Sequence, residues 1–264
     1  MTRYILNQLL RNKVLLAWPG AILLFFLLFM VYASTGYAGE AGYIFEFGEA
    51  ALPAGFLMTA LTGVILLIVL IALPTHLITN TEPGRASLLL TKPISRTDYF
   101  LSDLSAVAII TFGYSIFSIA LFALFFLIKG TVFPVSILLG LAALPFTVMA
   151  YYINILLLGL LFKNYLLTVF FCYILAGVSN LLFSIREVLT GSGIEPGTMI
   201  TILEMAQYVI PGVGPSSAVS EGLFNSGAHG LDLSILSFGL IAHYFVSLIP
   251  FTAWAYYIIR NRNF

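Results

Sequence analysis

Residues 82–103 read EPGRASLLLTKPISRTDYFLSD, a polar stretch carrying both signs of charge between two long apolar runs. Its punctuation is sharp. Pro83 suits the first turn of a helix, where its missing N–H costs nothing, and Glu82 beside it favours the positive end of that helix's dipole. Ala86–Leu90 then supplies one to two turns with an apolar side. Lys92-Pro93 ends them, because the residue before a proline is pushed out of the helical region. A new start follows at once: Ser95 as N-cap, Asp98 three residues on as a capping box, and Ile94 and Tyr99 at the staple positions. The pattern predicts helix, break, short helix, break, long helix. The third long apolar helix therefore begins near Arg96, outside any bilayer.

The surroundings of this insert set the class of the chain. Of 264 residues, 61% are hydrophobic and 8% are charged, with eleven basic and eleven acidic side chains in balance. A soluble domain carries about a quarter charged residues, and no net field points to nucleic acid. Six apolar runs approach or exceed the roughly 20 residues a spanning helix needs: Val14–Ser34, Ala54–Ile78, Leu104–Ile128, Val135–Phe162, Tyr165–Ile185 and Leu233–Ile259. They lack the alternation of a membrane barrel, and a backbone in hydrocarbon must satisfy its own hydrogen bonds, so helices are expected. The apolar core of the first run exceeds the roughly 7–15 residues of a signal peptide, which favours a retained helix. The expectation is an all-α polytopic membrane protein, one domain over residues 1–264.

Basic residues orient such a chain. Nine of the eleven, including Arg3, Arg11, Arg85, Arg96, Lys163 and Arg260, fall on one face of this arrangement; only Lys129 and Arg186 fall on the other. Both termini are thereby placed in the cytoplasm. Asp98 and Asp103 count among the few acids on that side. Met1–Lys13 pairs Ile5 with Leu9, and Leu6 with Leu10, against Arg3, Asn7 and Arg11, an amphipathic interfacial helix. Thr35–Pro53 reads as a solvated outer loop, and Lys129–Pro134 as a tight outer turn. Lys163-Asn164 separates two spans almost without a loop, which makes them antiparallel neighbours. Within the external segment 186–232, Thr198–Ile210 is a helix too short to cross.

The chain carries no G-x-x-x-x-G-K-[ST], HExxH or G-x-S-x-G, so no P-loop nucleotide site, zinc-hydrolase motif or nucleophile elbow is expected, and catalysis by the chain itself is not. His76, His229 and His243 lack ligand spacing, and no metal site is expected. Asn154, Asn180 and His243 are the polar residues of the spans that could serve a pathway or helix packing, with Ser115 and Ser247 as further packing groups. Pro74, Pro145 and Pro250 are expected kinks. Trp18, Tyr151, Tyr152, Trp254 and Tyr256 read as interface anchors, and Cys172 as a small buried hydrophobe.

The run E-x-x-R-x-x-LLLTKPISR-x-x-YFL, Glu82 to Leu101, resembles the cytoplasmic loop of type-2 ATP-binding-cassette permeases. Six spans, both termini inside, an N-terminal elbow helix and a short external helix are also similar to that family. Members often carry a lysine soon after the leucine, where this chain has Asp103. The resemblance implies a permease subunit of a multi-pass prokaryotic cell membrane, exporting or translocating a substrate. It would pair with a second copy or a paralogue and with two cytoplasmic ATPase subunits. ATP and Mg would be bound by those subunits and no cofactor by this chain. It implies that residues 79–103 couple to the ATPase, with Glu82, Arg85, Leu88, Leu89 and Pro93 docking, Ser95 and Arg96 as hinge, and Lys163 and Asn164 as a second contact. The alternatives are an ATP-independent channel or facilitator, and an envelope-assembly scaffold or membrane-embedded enzyme.

Overall fold

The computed structural model describes residues 1–37, 43–81, 95–130, 135–191, 202 and 238–261. These form seven helices and one small sheet. In chain order they are α1 (Thr2–Leu10), α2 (Ala17–Tyr32), β1 (Ser34–Tyr37), β2 (Tyr43–Phe47), β3 (Ala50–Pro53), α3 (Ala54–Thr81), α4 (Arg96–Lys129), α5 (Val135–Phe162), α6 (Tyr165–Gly191) and α7 (Phe238–Asn261). Each of the six expected apolar runs overlaps a helix, and residues 233–237 of the last run lie outside the described residues. Among the described residues three stretches, Ala54–Pro74, Arg96–Lys129 and Val135–Phe162, are long and apolar enough to cross a membrane, which suggests a membrane protein. Ala17–Tyr32 and Tyr165–Ser179 are shorter apolar helical stretches.

The bundle is organised around α5. This helix packs against α3, α4, α6 and α7, and 78% of its most apolar window is buried, against 44% for α3 and 33% for α4. A helix apolar all round belongs in the middle of a bundle, and one that keeps open faces belongs at its edge. From Ala150 to Leu160 every side chain of α5 is buried.

At Pro145 a polar contact replaces the donor that the ring removes. Pro145 has no N–H to offer the carbonyl of Leu141, four residues back. That carbonyl instead accepts from the Ser115 hydroxyl of α4 at 2.6 Å, in a buried setting. Near Pro74 the carbonyl of Ala72 accepts from Asn12 Nδ2 at 3.2 Å, and that of Ile71 lies 3.5 Å from the Tyr165 hydroxyl. Side chains thus serve backbone groups in the turns a proline disturbs. Ser115 joins two helices as expected, whereas Ser247 bonds back to Tyr244 of its own helix.

The first outer loop departs from the all-α expectation. Instead of a solvated loop, β1, β2 and β3 form a three-stranded antiparallel sheet in chain order. Gly48, with φ +63°, opens the two-residue turn between β2 and β3. A positive φ at the first turn position alone is the II′ pattern, which a glycine adopts without strain. The sheet is anchored by aromatics: Phe45 stacks on Phe29 of α2 with centroids 4.7 Å apart, and Phe122 and Phe125 of α4 close around Phe29 at 6.3 and 6.1 Å. Burial of those rings, not strand alternation, holds the sheet against the bundle.

Several expected interface anchors are core residues. Trp18 is fully buried and meets Tyr114 edge-on at 5.4 Å, and Tyr151 and Tyr152 are buried in α5. The central position of α5 is the reason, because it removes both tyrosines from every outer surface. Trp254 does stay exposed. Cys172 is buried, as read.

Candidate functional site

The site begins at the N-terminus of α4, where the polar insert becomes helix. Ser95 adopts extended backbone (φ −67°, ψ 151°), and its hydroxyl accepts from the Asp98 N–H at 3.0 Å. That is the cap read from the sequence, and it starts α4 at Arg96. With 34 residues the helix is about 51 Å long at 1.5 Å per residue, well beyond the roughly 30 Å of a hydrocarbon core. Its other end closes on Gly130 at φ +66°, whose N–H reaches the carbonyls of Phe126 and Leu127.

Arg96, expected as part of a hinge, is latched to α7. Its Nη1 donates to the Arg260 carbonyl at 2.5 Å. One turn further along, the hydroxyls of Thr97 and Tyr256 lie 3.0 Å apart, and Phe100 and Tyr256 have ring centroids at 5.5 Å. A guanidinium on the last carbonyls of a helix satisfies orphan acceptors and complements the negative end of the dipole. The first two turns of α4 and the last two of α7 are therefore one unit.

Beneath that unit lies a buried polar pair that sequence reasoning missed. Asp103, read as one of the few acids on the cytoplasmic face, is only 2% exposed. Its carboxylate accepts from the Tyr152 hydroxyl of α5. Tyr99, one turn before Asp103, is buried too, and its hydroxyl has no hydrogen-bond partner among the described residues. The available signal was spacing: Tyr99, Asp103, Ala106, Val107 and Ile110 make one helical stripe, and all are buried. Helix α1 packs along α4 with Ile5 and Leu9 almost completely covered. Leu10, half of the second expected apolar pair, is instead exposed. The amphipathic reading holds with one stripe, which faces protein.

Lys163 and Asn164 form the tight junction between α5 and α6, both exposed. Lys163 has φ +52°, a left-handed conformation unusual for a residue with a Cβ. Asn164 caps α6: its Oδ1 accepts from the Leu167 N–H at 3.3 Å, and its carbonyl accepts from the Thr168 hydroxyl at 2.8 Å.

The remaining expected site residues divide. Asn154 is buried, but its Nδ2 donates to Ala150 of its own helix at 2.9 Å, and its Oδ1 has no partner among the described residues. Asn180 and His243 belong to α6 and α7, with side chains outside the described set. Glu82, Arg85, Leu88, Leu89 and Pro93, and the helix expected at Thr198–Ile210, also lie outside the described residues, Ile202 excepted. Among the described residues no group of three or more metal-ligating side chains occurs. Comparison with known proteins matches no family model and no curated protein.

Proposed function

We propose that this chain is the membrane-spanning subunit of an ATP-driven transporter of the prokaryotic cell membrane, with both termini in the cytoplasm. It pairs with a second copy or a close relative. Its polar segment 79–103 receives force from separate cytoplasmic ATPase subunits, which bind the ATP and Mg. The observation that carries this reading is the latch: the helix that continues the polar segment starts on a formed cap and is tied to the end of the last helix. Movement of residues 82–94 has a stiff route into α4, and through Arg96 into α7. Such coupling acts only through contacts that differ between two states, so the ATPase must hold the segment differently before and after hydrolysis.

Lys163 and Asn164 supply a second, smaller contact, exposed on a junction with no slack. The test is purification of the tagged chain from its native membrane, followed by mass spectrometry. A stoichiometric partner with a P-loop sequence is the expected result. An intact complex that never contains one would refute the assignment.

A further inference from the structure

On the flank of the bundle, α4, α5 and α7 enclose a groove of about 680 Å³, within the roughly 300–1,000 Å³ of ordinary ligand sites. Its α4 wall runs from Thr97 to Phe112, about 22 Å at 1.5 Å per residue. That exceeds the roughly 15 Å that one leaflet contributes to the hydrocarbon core. The two ends differ in chemistry. The deep end is aromatic, built from Phe112, Phe146 and Phe245, with Phe112 and Phe146 meeting edge-on at 5.8 Å. The shallow end carries the hydroxyls of Thr97, Thr252 and Tyr256.

Of the described charged residues, Arg96 and Arg260 lie next to the shallow mouth, and Asp98 follows the lining residue Thr97 by one position. On α7, Phe245, Ile249, Thr252 and Tyr256 recur at helical spacing and line the groove, and Arg260 continues that stripe by one more turn. Arg96 lies beside it, held to the Arg260 carbonyl. The Arg260 side chain is exposed. A slot with hydroxyls and a flanking arginine at one end, and at the other aromatic rings among which the Tyr244 hydroxyl is spent on the Phe146 carbonyl at 2.7 Å, complements an amphiphile with an anionic head. Basic pockets between membrane helices recognise anionic headgroups in the same way.

We propose that this groove seats one acyl chain of an anionic membrane lipid. The headgroup sits at Arg260, and the chain end lies against Phe112, Phe146 and Phe245. Because the lipid bridges the base of α4 and the end of α7, it bears on the unit formed by the Arg96 latch. The site does not depend on ATP coupling.

The test uses the whole protein in nanodiscs doped with phosphatidylglycerol or phosphatidylcholine bearing the same diazirine-tagged acyl chain. After irradiation, labelled positions are mapped by mass spectrometry. Labelling at Phe112, Phe146, Phe245 and Ile249 should be roughly fivefold higher from phosphatidylglycerol, the preference one well-placed arginine confers. Ile116 and Leu127, exposed elsewhere on α4, should be labelled equally by both lipids. Arg260→Gln should erase the headgroup preference while leaving the latch, which uses only the backbone carbonyl of residue 260. Ala253→Trp should fill the groove and abolish its labelling by either lipid. Equal labelling of the unmodified protein by both headgroups, or groove labelling no higher than at Ile116 and Leu127, would overturn the proposal without recourse to any variant.

Discussion

At the scale of single residues, proline and serine act as a pair across two helices. Pro145 strips the Leu141 carbonyl of its helical donor, and Ser115 replaces that donor from α4. Ser115→Ala should therefore cost about 1–3 kcal/mol, the penalty of a buried orphan acceptor, and not the roughly 0.6 kcal/mol of an average hydrogen bond between membrane helices. Adding Pro145→Ala returns an N–H to the carbonyl, so the double variant should be more stable than Ser115→Ala alone. Equilibrium unfolding in detergent measures both, and strictly additive effects would contradict the pairing. Tyr152→Phe removes a donor from the buried Asp103 carboxylate and should destabilise by a further about 1–3 kcal/mol. An unchanged unfolding midpoint would show that the pair contributes nothing. The sequence displays Ser115 as a helix-packing group and Pro145 as a kink, but the link between them needs the register of α4 against α5, which no local pattern encodes.

Among the elements, the base of α4 is where sequence and structure agree most closely. The Ser95 cap and the start at Arg96 were legible because capping is a local bargain between a hydroxyl and an N–H three residues on. The latch to Arg260 was not legible, since it joins positions 164 apart in the chain. The three-stranded sheet was hidden for another reason: its strands are short, and aromatic packing on Phe29 holds them more than alternation does. The pairing of Asp103 with Tyr152 was not legible, because it depends on the register of α4 against α5. Arg96→Gln should loosen the last turn of α7 and raise amide exchange at residues 258–261 by roughly two- to fivefold, the effect of losing a helix-terminus charge. Ser95→Ala should fray α4 at residues 96–99 and cost about 1 kcal/mol. Unchanged exchange at residues 258–261 in the Arg96 variant would mean that the Arg96 bond adds nothing to the contacts Tyr256 makes with Thr97 and Phe100.

For the whole molecule, the architecture concentrates its polar connections at one end of the bundle: the capped start of α4, the latch to α7, the junction at Lys163-Asn164 and the strut α1. Among the described residues that end carries Arg3, Arg11, Lys13, Arg96, Lys163 and Arg260. Lys163→Gly separates structure from contact there. Glycine removes the strain of a left-handed residue but adds chain entropy, so stability should stay within about 1 kcal/mol of the parent. Retention of an ATPase subunit should nevertheless fall, as read by co-purification. Unaltered retention would leave Lys163 a turn residue only. The most direct measurement places the chain and its ATPase partner together in proteoliposomes and follows ATP hydrolysis and substrate movement in parallel, with Glu82 and Arg85 both replaced by alanine. The account predicts that hydrolysis continues while transport stops. Full coupling in that double variant would contradict it.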